Sequence, residues 1–431
     1  MAGHVFTGFG FGPIQGGLFV KEAFHSGNFG RIVVAEIDAE LVNAVRANKG
    51  SYYVNIAKDN GIETIQIDDV ELLNPNVAAD RRILLEALTQ STEIVTCLPS
   101  VSLYEAGGAD SVGLLIAEGL KNGSAEAAII YTAENNNHAA QILENTVKAK
   151  SPAPLGENVQ FLNTVIGKMS RVVTDRAEIA ELRLKSIAPG LSRAFLVEQF
   201  NRILVSRTRI AGFRPGIEIF IEKDDLLPFE EAKLYGHNAI HSLLGFLGAL
   251  KGAKSMTELK NDTVTMHIGS DAFLKESGAA LIKKYAHLGE ELFTEAGYGD
   301  YAEDLLERMT NPYLGDTIAR VIRDVVRKLE MDGRIFGTMQ LALEYGIEPK
   351  NMALGALAGV AVLLDEAEQY ELPEHLHFND WRELNHVRIE KTLKWLWNGK
   401  SCRYTGQIVK SLVKAREYLE KSTSNGGDFV M

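Results

Sequence analysis

The sequence predicts an α/β domain built on a doubly wound parallel sheet over residues 1–192, followed by a mainly α-helical domain over residues 193–431. Three observations predict it. A short apolar strand runs into a glycine-rich turn near the start, apolar strand-like runs then alternate with amphipathic helical ones, and from Phe229 onward nearly every segment has helical periodicity.

Composition bounds the function classes. At 431 residues, 46 % of them hydrophobic, the chain has material for two or three domains without staples. Its two cysteines, Cys97 and Cys402, are too few for a disulfide framework and too far apart for a metal clamp, which favours a reducing cytoplasm. A formal net charge of −12 repels phosphodiester backbones, so nucleic-acid binding is not expected. No run of about 18 apolar residues is present, and the expectation is a soluble cytoplasmic protein, monomeric or a small homo-oligomer, that acts on a small molecule.

The first element reads His4-Val-Phe-Thr-Gly-Phe-Gly-Phe-Gly-Pro-Ile-Gln-Gly-Gly-Leu-Phe19, a strand, a glycine-rich turn and then a helix through about Gly27. Glycines in that context let backbone approach a pyrophosphate at a helix N-terminus, as in Rossmann-type domains. Phe9, Gly10, Gly12, Pro13 and Ile14 are the candidate contacts, although strict Gly-x-Gly-x-x-Gly spacing is not met, with Gln15 at the third position counted from Gly10. The next strand, Arg31-Ile-Val-Val-Ala-Glu-Ile-Asp38, ends in two acids. A carboxylate there accepts hydrogen bonds from the adenosine ribose and disfavours a 2′-phosphate, which points to NAD. Glu36 is the first choice for that contact, while Asp38 equally suits a cap for the helix that follows.

Further strand-like runs fall at residues 62–67, 94–98 and 127–132, with helical patterns at 81–89 and 113–120 between them. Ligands bind beyond the carboxyl edge of such sheets. Thr96-Cys-Leu-Pro99 is a candidate lip beside the cofactor, and Glu134 and Asn135 stand closest to the end of the later strand, where an amide can donate to a reacting oxygen. Residues 145–158, with two lysines and two prolines, read as a surface connection. A run at 159–166 returns the chain to the sheet.

In the second half, helical patterns recur at 272–286, 301–308, 317–329, 338–345, 353–366, 381–397 and 407–421, and residues 422–428 read as a loose tail. The stretch Lys233-Leu-Tyr-Gly-His-Asn-Ala-Ile-His241 places polar groups inside an apolar helical run. At 100° per residue, with Lys233 at 0°, Asn238 falls at about 140°, His241 at about 80°, Glu230 at about 60° and His237 at about 40°. An amine, an amide, imidazoles and a carboxylate on one face can take a proton from a hydroxyl and hold the resulting oxygen. The same residues also suit a hydrogen-bonded core. Arg320, Arg323 and Arg327 would share a face of a helix over 317–329 as an anion clamp, or pair with neighbouring acids on its surface. His267 and His287 lack a second ligand at metal spacing, and no metal site is expected.

The pattern Lys233-x-x-x-x-Asn238-x-x-His241 resembles the signature of the polyol-specific long-chain dehydrogenases/reductases, the mannitol dehydrogenase family. The turn from Phe9 to Gly17 and Ala133-Glu134-Asn135 look like that family's cofactor loop and acid-Asn motif. Asn311-Pro-Tyr-Leu-Gly-Asp316, Ala319-Arg-Val-Ile-Arg-Asp-Val-Val-Arg-Lys-Leu329 and Leu343-Glu-Tyr-Gly346 are similar to its mannitol-1-phosphate 5-dehydrogenase branch. Gln15 stands where the family has its third glycine, Val325 where the branch has proline, Ile322 where it has glycine, and Gly167-Lys168 where it has Asp-Arg.

The resemblance implies that Lys233 is a general base, that Asn135 and Asn238 hold the alkoxide, that His241 orients the substrate or Lys233, and that Glu230 relays the proton. It implies an NAD-dependent, metal-independent oxidoreductase whose site lies in a cleft between the domains, with Arg320 and Arg323 as candidate substrate contacts. The expected reaction interconverts a sugar alcohol phosphate of the mannitol 1-phosphate type and its keto sugar phosphate. Alternatives are hexuronate (tagaturonate or fructuronate) reduction, an unphosphorylated polyol, or an NAD(H)-binding sensor that does not turn over.

Overall fold

The computed structural model describes residues 3–121, 123, 125–151, 153–377 and 380–424. Pro152 of the expected surface connection and residues 425–428 of the expected tail lie outside the described residues. The chain forms two compact units, Met1–Leu227 and Pro228–Met431. Among the described residues no helix is long and apolar enough to cross a membrane.

The strands of the first unit are β1 (His4–Phe9), β2 (Phe29–Ala35), β3 (Tyr52–Lys58), β4 (Gly61–Ile67), β5 (Val70–Leu73), β6 (Glu93–Thr96), β7 (Ala128–Thr132), β8 (Val159–Ile166), β9 (Ser170–Val173), β10 (Ala194–Glu198), β11 (Ile203–Ser206) and β12 (Phe220–Lys223). Eight of them make one sheet in the order β12-β11-β8-β7-β6-β1-β2-β5. It is parallel except where β11 runs against β8. From β1 the chain steps to β2 on one side and later to β6 on the other. The crevice beyond the carboxyl ends of β1 and β6 is thus the topological switch point where such sheets bind ligands.

Both faces of this sheet are buried, and residue parity sorts them. Phe6, Ile32, Val34, Val95, Ile129 and Tyr131 join one core, with Leu18, Phe19, Leu41, Val42 and Val45 from the helices packed on it. Phe9, Val33, Ala35, Ile94 and Ile130 join the other, under Leu84, Leu88, Leu115, Ile116, Leu143 and Val147. This is the doubly wound arrangement that the alternating pattern predicts.

Three elements differ from expectation. The run at 62–67 lies in a second, four-stranded sheet, β4-β3-β10-β9, as an antiparallel partner of β3. Its exposed, polar face suits an edge hairpin rather than a doubly buried strand. The helix Ala139–Lys150 absorbs the first part of the expected surface connection, because Ala139, Ala140, Leu143, Thr146 and Val147 keep a buried helical stripe. The first unit closes at Leu227 rather than at 192 because β10, β11 and β12 belong to its sheets.

Among the described residues of the second unit the regular elements are helices, with one isolated antiparallel bridge between Ser255 and Thr317. Leu227–Glu231, Ala232–Asn238 and Ala239–Leu250 are contiguous, and the middle segment is wound as a π-helix. The expected helix at 317–329 is broken into Ile318–Ile322 and Val325–Lys328, because Arg323 leaves the helix and Asp324 turns left-handed at φ 60°.

Candidate active site

In the first unit the residues singled out around the glycine turn gather at the switch point. Gly10 adopts φ 80°, and a Cβ there would come within 2.8 Å of the Cys97 carbonyl oxygen, so only glycine fits the turn. A Cβ on Gly12 would meet nothing within 4 Å, so the space over it is open. Pro13 opens the helix, where its missing N–H is no loss, and the first-turn N–H groups lack intrahelical acceptors by construction. Open space over a glycine turn at a helix N-terminus fits a dinucleotide pyrophosphate.

Gln15, out of place in the glycine pattern, is fully buried, with its amide donating to the Val95 carbonyl and its oxygen accepting from the Cys97 thiol. A Cβ on Gly8 would stand 1.9 Å from Gln15 Nε2. The glycine that admits a close helix–strand contact has moved from the helix to the strand. Gly17 meets the second sheet in the same way, since a Cβ on it would lie 2.5 Å from Val197 Cγ1.

Glu36 accepts the Phe11 N–H at 2.7 Å and the Asp38 N–H at 2.8 Å, which ties the turn to the end of β2. Asp38 caps the helix Ala39–Ala47 through the N–H groups of Glu40 and Leu41 and pairs with Arg193 at 2.6 Å. The capping expected of it is therefore present. Glu134 is buried and accepts from the Thr96 hydroxyl at 2.9 Å, the Tyr104 hydroxyl and the Leu98 N–H at 2.8 Å. It braces the lip that holds Thr96 and the exposed Pro99. Burial raises its pKa against these donors. Asn135 follows it and is exposed at the carboxyl edge of β7.

In the second unit the π-wound segment holds Lys233, His237 and Asn238. The Tyr235 carbonyl accepts the hydroxyls of Ser277 at 2.8 Å and Thr338 at 3.2 Å, and Gly236 makes room for Tyr298, whose hydroxyl would lie 2.7 Å from a Cβ. Such external partners stabilise a wider turn, which often marks functional positions. With i→i+5 winding, Asn238 turns toward Lys233, closing much of the roughly 140° offset of an α-helix. Burial drives the Lys233 pKa from 10.5 to about 8; the Arg334 guanidinium pushes the same way, and Glu230 opposes it.

His241 stands with Nε2 3.3 Å from the buried Asp316, whose other oxygen pairs with Arg320 at 2.7 Å. Burial would raise the Asp316 pKa, but His241 and Arg320 bring it down to about 2. His237 is buried, and burial followed by the charge of His241 holds it well below the ordinary value, so it stays neutral. Arg320 thus pairs with Asp316, and Arg323, three-quarters exposed beside Asp324, shares no helical face with Arg327. The clamp expected of a continuous helix does not form.

Two other cations of this unit are perturbed by their surroundings. Lys328 is buried, and burial with the charges of Arg334 and Arg327 lowers its pKa to about 7 against the pull of Asp324. Arg334 opens the helix Arg334–Glu344, reaches Ser242 Oγ at 3.4 Å and is lowered to about 10 by burial and Arg327. Its place is set by tertiary packing: a Cβ on Gly337 would lie 2.7 Å from the Tyr235 ring. Among the described residues no group of three or more His, Cys, Asp or Glu is arranged to hold a metal ion.

Residues 225–391 match the family described as the mannitol dehydrogenase C-terminal domain. The chain is 26 % identical to mannitol-1-phosphate 5-dehydrogenase of Buchnera aphidicola subsp. Acyrthosiphon pisum (strain Tuc7), over 81 % of this chain and 84 % of that protein. It is 26 % identical to the protein of the same name from Brevibacillus brevis, over 88 % of this chain and 91 % of that protein. Among solved structures, D-sorbitol dehydrogenase in substrate-free form shares the fold at TM-score 0.74 and 14 % identity, over 97 % of this chain and 93 % of that one. Pseudomonas fluorescens mannitol 2-dehydrogenase, in ternary complex with NAD and D-mannitol, does so at TM-score 0.70 and 16 % identity, over 99 % and 93 %. Residues 225–391 thus match the mannitol dehydrogenase C-terminal domain, while the chain as a whole is similar in sequence to mannitol-1-phosphate 5-dehydrogenases and shares the fold of D-sorbitol dehydrogenase and mannitol 2-dehydrogenase.

Proposed function

We propose that this chain is an NAD-dependent polyol dehydrogenase that oxidises a secondary CH–OH group, with a mannitol 1-phosphate-type polyol phosphate and its 2-keto sugar phosphate as the reactant pair. The observation that carries the reading is Lys233, an amine brought down to about 8 on a π-turn that it shares with Asn238. A lysine at its ordinary pKa is almost wholly protonated near neutrality and cannot act as a base.

Lys233, when neutral, accepts the hydroxyl proton. Asn238, on the same π-wound segment as Lys233, and Asn135 are the amides assigned to donate to the oxygen as it gains charge. His241, 3.3 Å from Asp316, is assigned to orient a substrate hydroxyl, and Glu230, whose charge acts on Lys233, to pass the proton outward. Phe9, Gly10, Gly12, Pro13 and Ile14 would hold the dinucleotide, with Glu36 accepting from its ribose and Thr96, Pro99 and Glu134 shaping the lip. Bound NAD supplies the hydride acceptor.

The phosphorylated substrate is supported by the excess of buried positive charge. The charge of Arg327 lowers the pKa of both Lys328 and Arg334, and Asp324 opposes it at each. A dianionic phosphate relieves that repulsion. A hexuronate carboxylate answers to the same cations and is the second reading. The test is loss of NADH absorbance on mixing the protein with fructose 6-phosphate, fructose or tagaturonate. Fructose 6-phosphate is expected to react with the lowest KM; a lower KM for tagaturonate favours the second reading, and no oxidation with any of the three despite NADH binding overturns both.

A further inference from the structure

The roles assigned to the polar face of the Lys233 segment leave His237 unused. It stands four residues after Lys233 and four before His241, inside the π-wound stretch Ala232–Asn238. Its backbone is bonded to Tyr301, and the residue as a whole is 5 % exposed. Its ring, by contrast, has no hydrogen-bond partner among the described residues. The His241 ring lies 6.3 Å away, centroid to centroid, and is tilted by 60°, so the two imidazoles are not stacked. The charges that act on His237 come from Lys233 and His241 on its own run and from Arg308 and Arg334 on the helices Glu295–Met309 and Arg334–Glu344. All of them push against protonation, as does burial, so the ring is a neutral imidazole.

A neutral imidazole has one N–H donor and one acceptor nitrogen, whereas the arginines around it only donate. A buried ring nitrogen without a partner destabilises the empty site, and a ligand group that satisfies it is bound the more tightly. The match is a hydroxyl, which donates and accepts; a phosphate or carboxylate, which only accepts, goes to the cations instead. We propose that His237 binds a substrate hydroxyl other than the one that reacts, and so selects the configuration of the carbon that bears it. Side chains four residues apart on a helix face are separated by about 5–6 Å, which carries His237 from the reacting hydroxyl to one further along the sugar chain. The contact rests on the reading of Lys233 as the proton-transferring group, and adds a specificity-determining residue beside it.

Epimer selectivity tests it. NADH oxidation is followed for the wild type, His237→Leu and His237→Gln, using whichever of fructose 6-phosphate, fructose and tagaturonate gives the wild type its highest kcat/KM. The epimers of that sugar at the two carbons beyond the carbonyl are run beside it. Leucine removes both ring nitrogens, and glutamine keeps a donor and an acceptor. The wild type is expected to prefer one configuration by about tenfold or more in kcat/KM, the scale of a buried hydrogen bond made or left unmade. His237→Leu should raise the KM of the preferred sugar by about tenfold, collapse that preference and leave the NADH Kd within about threefold of the wild type. His237→Gln should restore much of the preference. A damaged fold slows all the epimers alike, so a slower His237→Leu that keeps the wild-type preference overturns the proposal, and so does a wild type that does not discriminate among them. If the leucine variant does not fold, His237→Phe, a ring without nitrogens, is held to the same outcomes. If the wild type reduces none of the three keto sugars, the dehydrogenase reading itself falls.

Discussion

Replacing Arg334 or Glu230 should move the pH dependence of polyol oxidation in opposite directions. With a pKa of about 8, Lys233 is neutral in about one molecule in ten at pH 7, against about one in three thousand for a lysine at 10.5. The environment thus raises the population of the competent base about three-hundredfold, equivalent to about 3 kcal/mol. Initial rates of NADH formation should give kcat/KM that climbs tenfold per pH unit and levels off near pH 8. Arg334→Gln removes a charge that lowers the lysine pKa, so the inflection should rise. Glu230→Gln removes a charge that raises it, so the inflection should fall. A wild-type inflection near 10.5, or two variants that shift the same way, would refute this account of how the base is tuned.

Other variants test the surroundings. Asp316 has its pKa lowered from 3.8 to about 2, so the stability it contributes is present above pH 3.8 and lost as pH falls through 2. Denaturant titration of Asp316→Asn should show a deficit of ~2 kcal/mol near pH 6 that closes by pH 2. Glu93 is the opposite case: burial raises its pKa from 4.5 to about 7, so folding weakens as pH rises between those values. Glu93→Gln should match the wild type at pH 4 and melt at a higher temperature at pH 8; an equal Tm at pH 8 contradicts the assignment. Gly8→Ala, whose Cβ would meet Gln15 Nε2 at 1.9 Å, should cost about 1–3 kcal/mol and weaken NADH binding. Combining it with Gln15→Ala should restore most of both.

How far the sequence carries depends on whether a feature is local. The glycine turn, the acids closing β2 and the helical second half follow from short-range pattern, and each is found where that pattern puts it. The four-stranded sheet is not local: it joins Val54 to Phe195, and no turn or period near residue 62 says that its strand leaves the main sheet. The Lys233 segment was legible as a polar cluster but not as a π-turn, because its winding is held from outside by Ser277, Thr338 and Tyr298. Gly236 inside that apolar run was the available signal. Arg320 and Arg323 looked like a clamp only while residues 317–329 were one helix. The left-handed Asp324 breaks it, and the perturbed cations are Lys328 and Arg334, the latter on a helix whose Gly337 packs against Tyr235. Gln15 breaks the glycine spacing of the cofactor motif, and Gly8 on the opposite strand supplies the space that a glycine at 15 would leave.

The role of Lys233 is tested most directly by measuring NADH affinity and keto-sugar reduction side by side in Lys233→Ala. Loss of a general acid–base group should lower turnover by about 10²–10⁴-fold while the NADH Kd stays within about threefold of the wild type. Turnover within tenfold of the wild type, at unchanged NADH affinity, would contradict Lys233 as the proton-transferring group.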